Sequence, residues 1–355
     1  MPRPHLVVES VSIIVACRNE RASLGRFLGS LVAQQGVPTP LEIVIADGRS
    51  EDGTRAVLEQ YAASLEGLPE GWTMRVLDNP GRIASTGLNL ALQGAAGKII
   101  LRMDAHTEYA QNYVAECLRT LQETGAANVG GPALTKGTGY WQQAIALAFH
   151  SPFFSGGARF HNPHYEGVAD TVPYGCWRRQ TLETLGGFDE TLVRNQDDEL
   201  NFRITQAGGV IWQSPAIRSW YYPRRNLFAL ARQYFEYGYW KPAVIAKYGR
   251  PAHWRHLAPA TAALFLLVVA LIAPFYRGAA WLLFAMTSIY GLASVGAALA
   301  ATRSGSKRFL PAMPLIFATV HTAYAFGFLL GGWAHRRRQR ENVAGRELSA
   351  RAEAQ

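Results

Sequence analysis

The chain reads as an α/β protein with a mainly parallel sheet, followed by C-terminal transmembrane helices. Three observations carry that reading. From Val11 to about Val129, short runs apolar on both faces alternate with segments apolar at helical spacing, the pattern of parallel strands joined by crossover helices. The polar residues just past four of those strands, RNE, DGRSEDGT, DNPGR and DAH, then fall at the C-terminal edge, where open α/β sheets bind ligands. Finally, three apolar runs lie beyond residue 257, each long enough or nearly so to cross a hydrocarbon core of ~30 Å at ~1.5 Å per residue.

The elements follow in order. VSIIVAC, Val11–Cys17, is a continuous β-branched run and the first buried strand; the apolar stretch before it is cut short by Glu9 and Ser10 and does not read as a signal peptide. Ser23–Gln34 carries Leu24, Phe27, Leu28 and Leu31 on one helical face. LEIVIAD is the second strand, SEDGTRAVLEQYAASL the second helix, TMRVLDN the third strand and ASTGLNLALQGA the third helix, with KIILRMD closing the set. Asp52, Gly53 and Thr54 read as the cap of the second helix. Residues 130–218 are less periodic, rich in Gly, Pro, His and aromatic residues, although DDELNFRITQAG has helical spacing with acids at its N-terminal end, where the helix dipole favours them.

Charge divides the chain. Residues 1–217 hold 17 Lys+Arg against 22 Asp+Glu, whereas residues 218–355 hold 18 against 4, a net of −5 followed by +14. The basic residues of the second part flank apolar runs, so they suit an anionic membrane surface and not a nucleic-acid groove. Residues 1–225 therefore read as a cytoplasmic catalytic domain, 226–256 as an aromatic-rich amphipathic interfacial segment, 257–335 as two to three transmembrane helices, and 336–355 as a basic, disordered tail. RSGSKR between the second and third runs and HRRRQR after the third both ask to be cytoplasmic; three full spans cannot satisfy both, so one run is expected to be re-entrant or interfacial. Cys17, Cys117 and Cys176 are odd in number and widely spaced, which supports neither a disulfide framework nor a zinc site and suits a reducing compartment.

Asp104 and His106 end the fourth strand two positions apart, on the same side of an extended chain. One carboxylate and one imidazole there can hold a divalent ion against a substrate diphosphate, although strand-end acids are also common turn formers and caps.

The ordered series CRNE, DGRSEDGT, DNPGRIASTGLN, MDAH, GGFDE and NQDDELNFR resembles the inverting family-two nucleotide-sugar glycosyltransferases of the A-type, SpsA-like fold. The tail YYPRRNLFALARQYFEYGYWK followed by membrane runs is similar to the succinoglycan-biosynthesis ExoA-like group, and coverage extends from about Val11 to Lys241. The resemblance implies a nucleotide-sugar-binding domain in which Glu20 and Asp47 contact base and ribose, and Arg82 lies near the base or diphosphate. Asp104 answers to the first acid of the family's D-x-D motif, which contacts ribose and metal; His106 replaces the second. Alignment on Glu199, Leu200 and Arg203 puts the general base at Asp197, with Gln196 where the family has Glu and Asp198 as second choice.

The implied reaction is transfer of one sugar from a nucleoside diphosphate sugar, a uridine diphosphate hexose by family precedent, to a polyprenyl-linked or growing exopolysaccharide acceptor. Mn²⁺ or Mg²⁺ is the implied cofactor, membrane lipids are partners, nucleic acid is not, and the place is the inner (plasma) membrane. A processive synthase would carry Q-x-x-R-W, but Gln233 is followed by Tyr234, Phe235, Glu236 and Tyr237. A non-catalytic sugar-nucleotide-binding scaffold would not need both Asp104 and Asp197. A dinucleotide oxidoreductase would show G-x-G-x-x-G after the first strand, which is missing.

Overall fold

The computed structural model describes residues 9–64, 68–303 and 307–353. It divides into two units: Met1–Lys136 with Gly157–Pro223, and Gly137–Gly156 with Arg224–Gln355. The first boundary thus falls close to the expected 225, but 137–156 leaves the α/β unit and packs with the C-terminal helices.

The first unit opens with β1 (Val11–Cys17), α1 (Arg21–Val32), β2 (Leu41–Asp47), α2 (Thr54–Ser64), β3 (Trp72–Asp78), α3 (Ala84–Gly94) and β4 (Ile99–Met103). These four strands pair in parallel in the order β3-β2-β1-β4. Alternate residues of β1 enter separate cores: Ile13 and Val15 join Leu24, Phe27 and Leu31 of α1, whereas Ile14 joins Val44 of β2 and Leu88 of α3. Burial on both faces is why the strand reads as a continuous apolar run. Gly87 lets α3 lie close to the sheet; a Cβ there would sit 2.9 Å from Cβ of Ala16 and 2.8 Å from Nδ2 of Asn79.

Next come β5 (Thr107–Tyr109), α4 (Tyr113–Thr124), β6 (Asn128–Gly130) and β7 (Ala133–Thr135). The chain then supplies α5 (Tyr140–Phe149) and α6 (Pro152–Ser155) to the second unit. It returns through β8 (Gly167–Val168), β9 (Cys176–Arg178), α7 (Arg179–Leu185), α8 (Gln196–Gln206), β10 (Ile211–Gln213) and β11 (Ser219–Tyr221). The full sheet runs β3-β2-β1-β4-β9-β6-β10-β8, with β9 antiparallel to both neighbours, and β5-β11-β7 form a smaller second sheet.

The second unit adds α9 (Leu227–Tyr248), α10 (Ala258–Ile272), α11 (Arg277–Ala301) and α12 (Ala312–Glu353). Two stretches, Arg277–Ala301 and Ala312–Arg337, are long and apolar enough to cross a membrane, with 11% and 33% of their apolar windows buried. The 15 residues of α10 rise only about 22 Å, less than a hydrocarbon core of ~30 Å. α9 packs along α12: a Cβ on Gly238 would strike the carbonyl of Tyr324, and Cβ atoms on Gly327 and Gly331 would strike those of Phe235 and Tyr239. Gly327 and Gly331 form a small-xxx-small pair that admits this approach. Through 353, where the sequence reading expects a disordered tail, the backbone continues as helix; its Arg, Glu, Ala and Leu content favours that state. Residues 304–306 of the RSGSKR loop, and residues 354 and 355 of the tail, lie outside the described residues.

Candidate active site

The C-terminal ends of β1 and β2 carry two loops laced to each other. Asn19 accepts from the Glu51 N–H through its side chain, at 2.9 Å, and donates its own backbone N–H to Ser50 Oγ, also at 2.9 Å. The Arg21 N–H donates to Asp52 and the Glu20 N–H to Thr54 Oγ1. Asp52 also accepts from the Thr54 N–H at the start of α2, the capping role expected of it. Asp47 lies within this lacing: its carboxylate is fully buried and accepts from the N–H and Oγ of Ser50 at 3.1 and 2.5 Å. Those bonds tie Asp47 to the loop that follows β2.

Among the described residues, five that are not glycine have positive φ: Asn19, Arg49, Arg82, Tyr174 and Asn195. Three directly follow β1, β2 and β3, Tyr174 precedes β9 beside the end of β4, and Asn195 caps α8. Such backbone costs of order 1–3 kcal/mol per residue and collects where a site demands it. Here all five border one rim. At that rim Arg82 is exposed, and its guanidinium makes no ion pair among the described residues.

The centre of the rim is a buried cation. Arg102, in β4, directs Nε and Nη2 onto the two oxygens of Asp104, each at 3.0 Å. Its Nη1 lies 3.5 Å from Oδ2 of Asp197, in the first turn of α8. The guanidinium side chain is 6% exposed, and Asp104 and Asp197 are 15% and 38% exposed. Burial alone would lower the pKa of Arg102, but Asp104 and Asp197 outweigh it and hold the group well above its usual range. The Asp104 N–H donates to the hydroxyl of Tyr109 at 2.7 Å, and that phenol is kept protonated by its own burial.

His106 turns to the neighbouring loop, its Nδ1 3.5 Å from Oε1 of Glu20, whose Oε2 accepts from Ser23 Oγ at 2.8 Å. The sequence-predicted residues therefore form two adjoining pairs, Glu20 with His106 and Asp104 with Asp197, the second joined by Arg102. Asp198 follows one residue on, roughly 100° further round the helix. Reasoning from the sequence missed Arg102. Its signal was present all the same, as a lone cation inside a strand apolar on both faces has to be paired.

The orientation of α8 is set by residues the motif also contains. Glu199 is fully buried and paired with Arg203, which donates to the carbonyls of Leu185 and Gly187 at 2.5 and 2.7 Å. Asn201 accepts from Asn128 of β6 at 2.7 Å and donates to Thr171 at 2.8 Å. These bonds fix the helix whose first turn presents Asp197.

Among the described residues no three His, Cys, Asp or Glu side chains gather as a metal cage. Asp104 and His106 nevertheless fit a divalent ion of another kind. Each Asp104 oxygen keeps a lone pair beyond its bond to Arg102, and the His106 ring is 42% exposed. Two protein donors suit an ion whose other ligands come from a diphosphate and water.

A mainly parallel sheet with strained loops along its C-terminal rim, two opposed acids and an exposed arginine make up the candidate site. The Glycosyl transferase family 2 model matches residues 12–184. The succinoglycan biosynthesis protein ExoA of Rhizobium meliloti is 28% identical over 335 residues, covering 92% of this chain and 96% of that protein. The dolichyl N-acetyl-alpha-D-glucosaminyl phosphate 3-beta-D-2,3-diacetamido-2,3-dideoxy-beta-D-glucuronosyltransferase of Methanococcus voltae is 26% identical, covering 67% of this chain and 74% of its own length. The solved mannosyltransferase PcManGT from Pyrobaculum calidifontis, in complex with GDP-Man and Mn²⁺, superposes with a TM-score of 0.57 over 91% of this chain and 90% of its own, at 18% identity, a likeness of fold. Over residues 12–184 the chain is thus similar to the family-two glycosyltransferases.

Proposed function

We propose that the protein transfers one sugar, with inversion, from a uridine diphosphate hexose to a polyprenyl-linked or growing exopolysaccharide acceptor. The observation that carries this reading is the pairing of Asp104 and Asp197 on one guanidinium, which sets a strand-end acid beside a helix-start acid. The acceptor hydroxyl oxygen attacks the anomeric carbon from the face opposite the diphosphate. A new carbon–oxygen bond forms as the bond to the diphosphate breaks, and its electron pair leaves on the nucleoside diphosphate. The hydroxyl proton passes to the carboxylate of Asp197, the general base, with Asp198 as second candidate. A single displacement without a covalent intermediate gives inversion.

Glu20, Asp47 and Asp104 face the nucleotide, and Arg82 meets the diphosphate as its charge grows. Asp104 and His106 would hold Mn²⁺ or Mg²⁺, which when bound supplies positive charge to the leaving diphosphate. The likeness to ExoA, a succinoglycan biosynthesis protein, and to a dolichyl phosphate sugar transferase supports an acceptor of this class. The two apolar helices support attachment to the inner (plasma) membrane, with the α/β unit cytoplasmic.

The test incubates membranes containing the protein with radiolabelled nucleotide sugars and a lipid extract, with Mn²⁺, with Mg²⁺ and with a chelator. One donor is expected to label the organic phase in a metal-dependent way, giving a product one sugar longer whose label mild acid releases as from a polyprenyl diphosphate. A long polymer from one acceptor would make the enzyme processive, and nucleotide-sugar binding without transfer would make it a scaffold.

A further inference from the structure

Arg102 is the buried charge for which the reaction as written has no use. Its Nη1 is shut off from solvent and makes no hydrogen bond, so no substrate atom reaches it. What it does for the reaction it does through the groups it faces. Nε and Nη2 are fully engaged with Asp104, and Nη1 stands 3.5 Å from Oδ2 of Asp197. That distance is an ion pair longer than a good hydrogen bond. It holds Oδ2 of Asp197 by charge, on a side chain that is 38% exposed.

We infer that Arg102 is a positioning residue, a rigid spacer that fixes the carboxylate of Asp197 relative to Asp104. The planar guanidinium presents its donors in a fixed fork, so the side of it that grips Asp104 determines where Nη1 points. Arg102 is itself anchored in the sheet, its N–H bonded to the Gly175 carbonyl at 3.0 Å. The acid that takes the acceptor's proton therefore keeps a set distance from the acid that meets the donor. The inference rests on Asp197 as the base named above. It adds that the base works only while a third, buried group holds it in register; a misplacement of about 1 Å costs on the order of a hundredfold in rate.

A double-mutant cycle on the full-length protein in its membranes tests this. Transfer is measured with labelled uridine diphosphate hexose as donor and the lipid extract as acceptor, for the wild type, Arg102→Lys, Asp197→Asn and the double variant. Lysine keeps the charge but, as a point ammonium on a flexible stem, cannot fork onto Asp104 and face Asp197 at once. Arg102→Lys is expected to lower kcat roughly tenfold to a hundredfold in the wild-type background. With Asp197 already changed, it is expected to lower the residual kcat less than about threefold, because groups acting as a unit are non-additive. Any effect through Asp104 is expected to change kcat and donor KM by the same factor in both backgrounds.

An equal loss of kcat in both backgrounds would assign Arg102 to packing or to Asp104 and overturn the inference, as would an unchanged kcat for Arg102→Lys. Full activity of Asp197→Asn by itself would instead overturn the base assignment, so the two failures are distinct. Should Arg102→Lys not accumulate as folded protein, Arg102→Gln is read through the same cycle.

Discussion

Arg102 stays inside the sheet only because Asp104 and Asp197 carry its charge. Removing Asp104 leaves a buried guanidinium with a half-exposed partner at 3.5 Å. Breaking a buried pair from one side costs roughly 3–5 kcal/mol. Asp104→Ala is therefore expected to lower the thermal unfolding midpoint of the purified protein and to abolish nucleotide binding together; a variant that melts like the wild type would show that the pair stabilises nothing. Glu42 gives a second residue-scale expectation. Burial pushes its carboxyl up, but bonds from Ser12, the Ala96 N–H and Arg75 outweigh that and hold it below its ordinary 4.5. A carboxyl with a depressed folded value stabilises fully above its unfolded value and loses that contribution as pH falls through the folded one. Glu42→Gln should flatten the acid side of the stability curve below about pH 4.5, and an unchanged acid limb would contradict it. At this scale the sequence disclosed Asp104 and His106 because an acid and an imidazole closing an apolar strand are conspicuous. The embedded Arg102 was not read, as one of its two partners, Asp197, comes from a helix far along the chain.

At the scale of elements, the four parallel strands were legible because each is buried on both faces and separated by amphipathic helices. The antiparallel β9 and the second sheet were not. Their strands are three residues long, too short for a period of two to register. The α9–α12 pair was also missed. Its aromatic and basic composition suggested a helix lying at a membrane surface, whereas the glycines that allow close packing sit on two segments some ninety residues apart. Gly327→Ala puts a methyl group against the carbonyl of Phe235, and overpacking of this kind costs typically about 1–3 kcal/mol. The variant should melt earlier in detergent, with less full-length protein in membranes; equal melting would mean that the helices are free to part.

For the whole molecule, the charge asymmetry and apolar runs anticipated two different solvents for the two parts of the chain. The protein is expected to stay with membranes through alkaline carbonate and to leave them in detergent, and release by carbonate would contradict membrane spanning. The chain's excursion at 137–156 adds an expectation of its own. Ile145, Ala148 and Phe154 are buried against Phe309, Met313, Ile316 and Phe317. A fragment ending at Pro223 loses that cover and should aggregate, whereas the full chain in detergent should not. The central claim joins all three scales: the helix-start acid that the fold brings to the C-terminal rim of the sheet is proposed as the base of a membrane-attached sugar transferase. It is tested most directly by transfer of labelled sugar to lipid extract with Asp197→Asn and Asp198→Asn beside the wild type, with uridine diphosphate binding measured on the same preparations. The expected result is retained binding with transfer reduced on the order of 10²–10⁴-fold in Asp197→Asn alone. Undiminished transfer by Asp197→Asn, or a comparable loss only in Asp198→Asn, would contradict it.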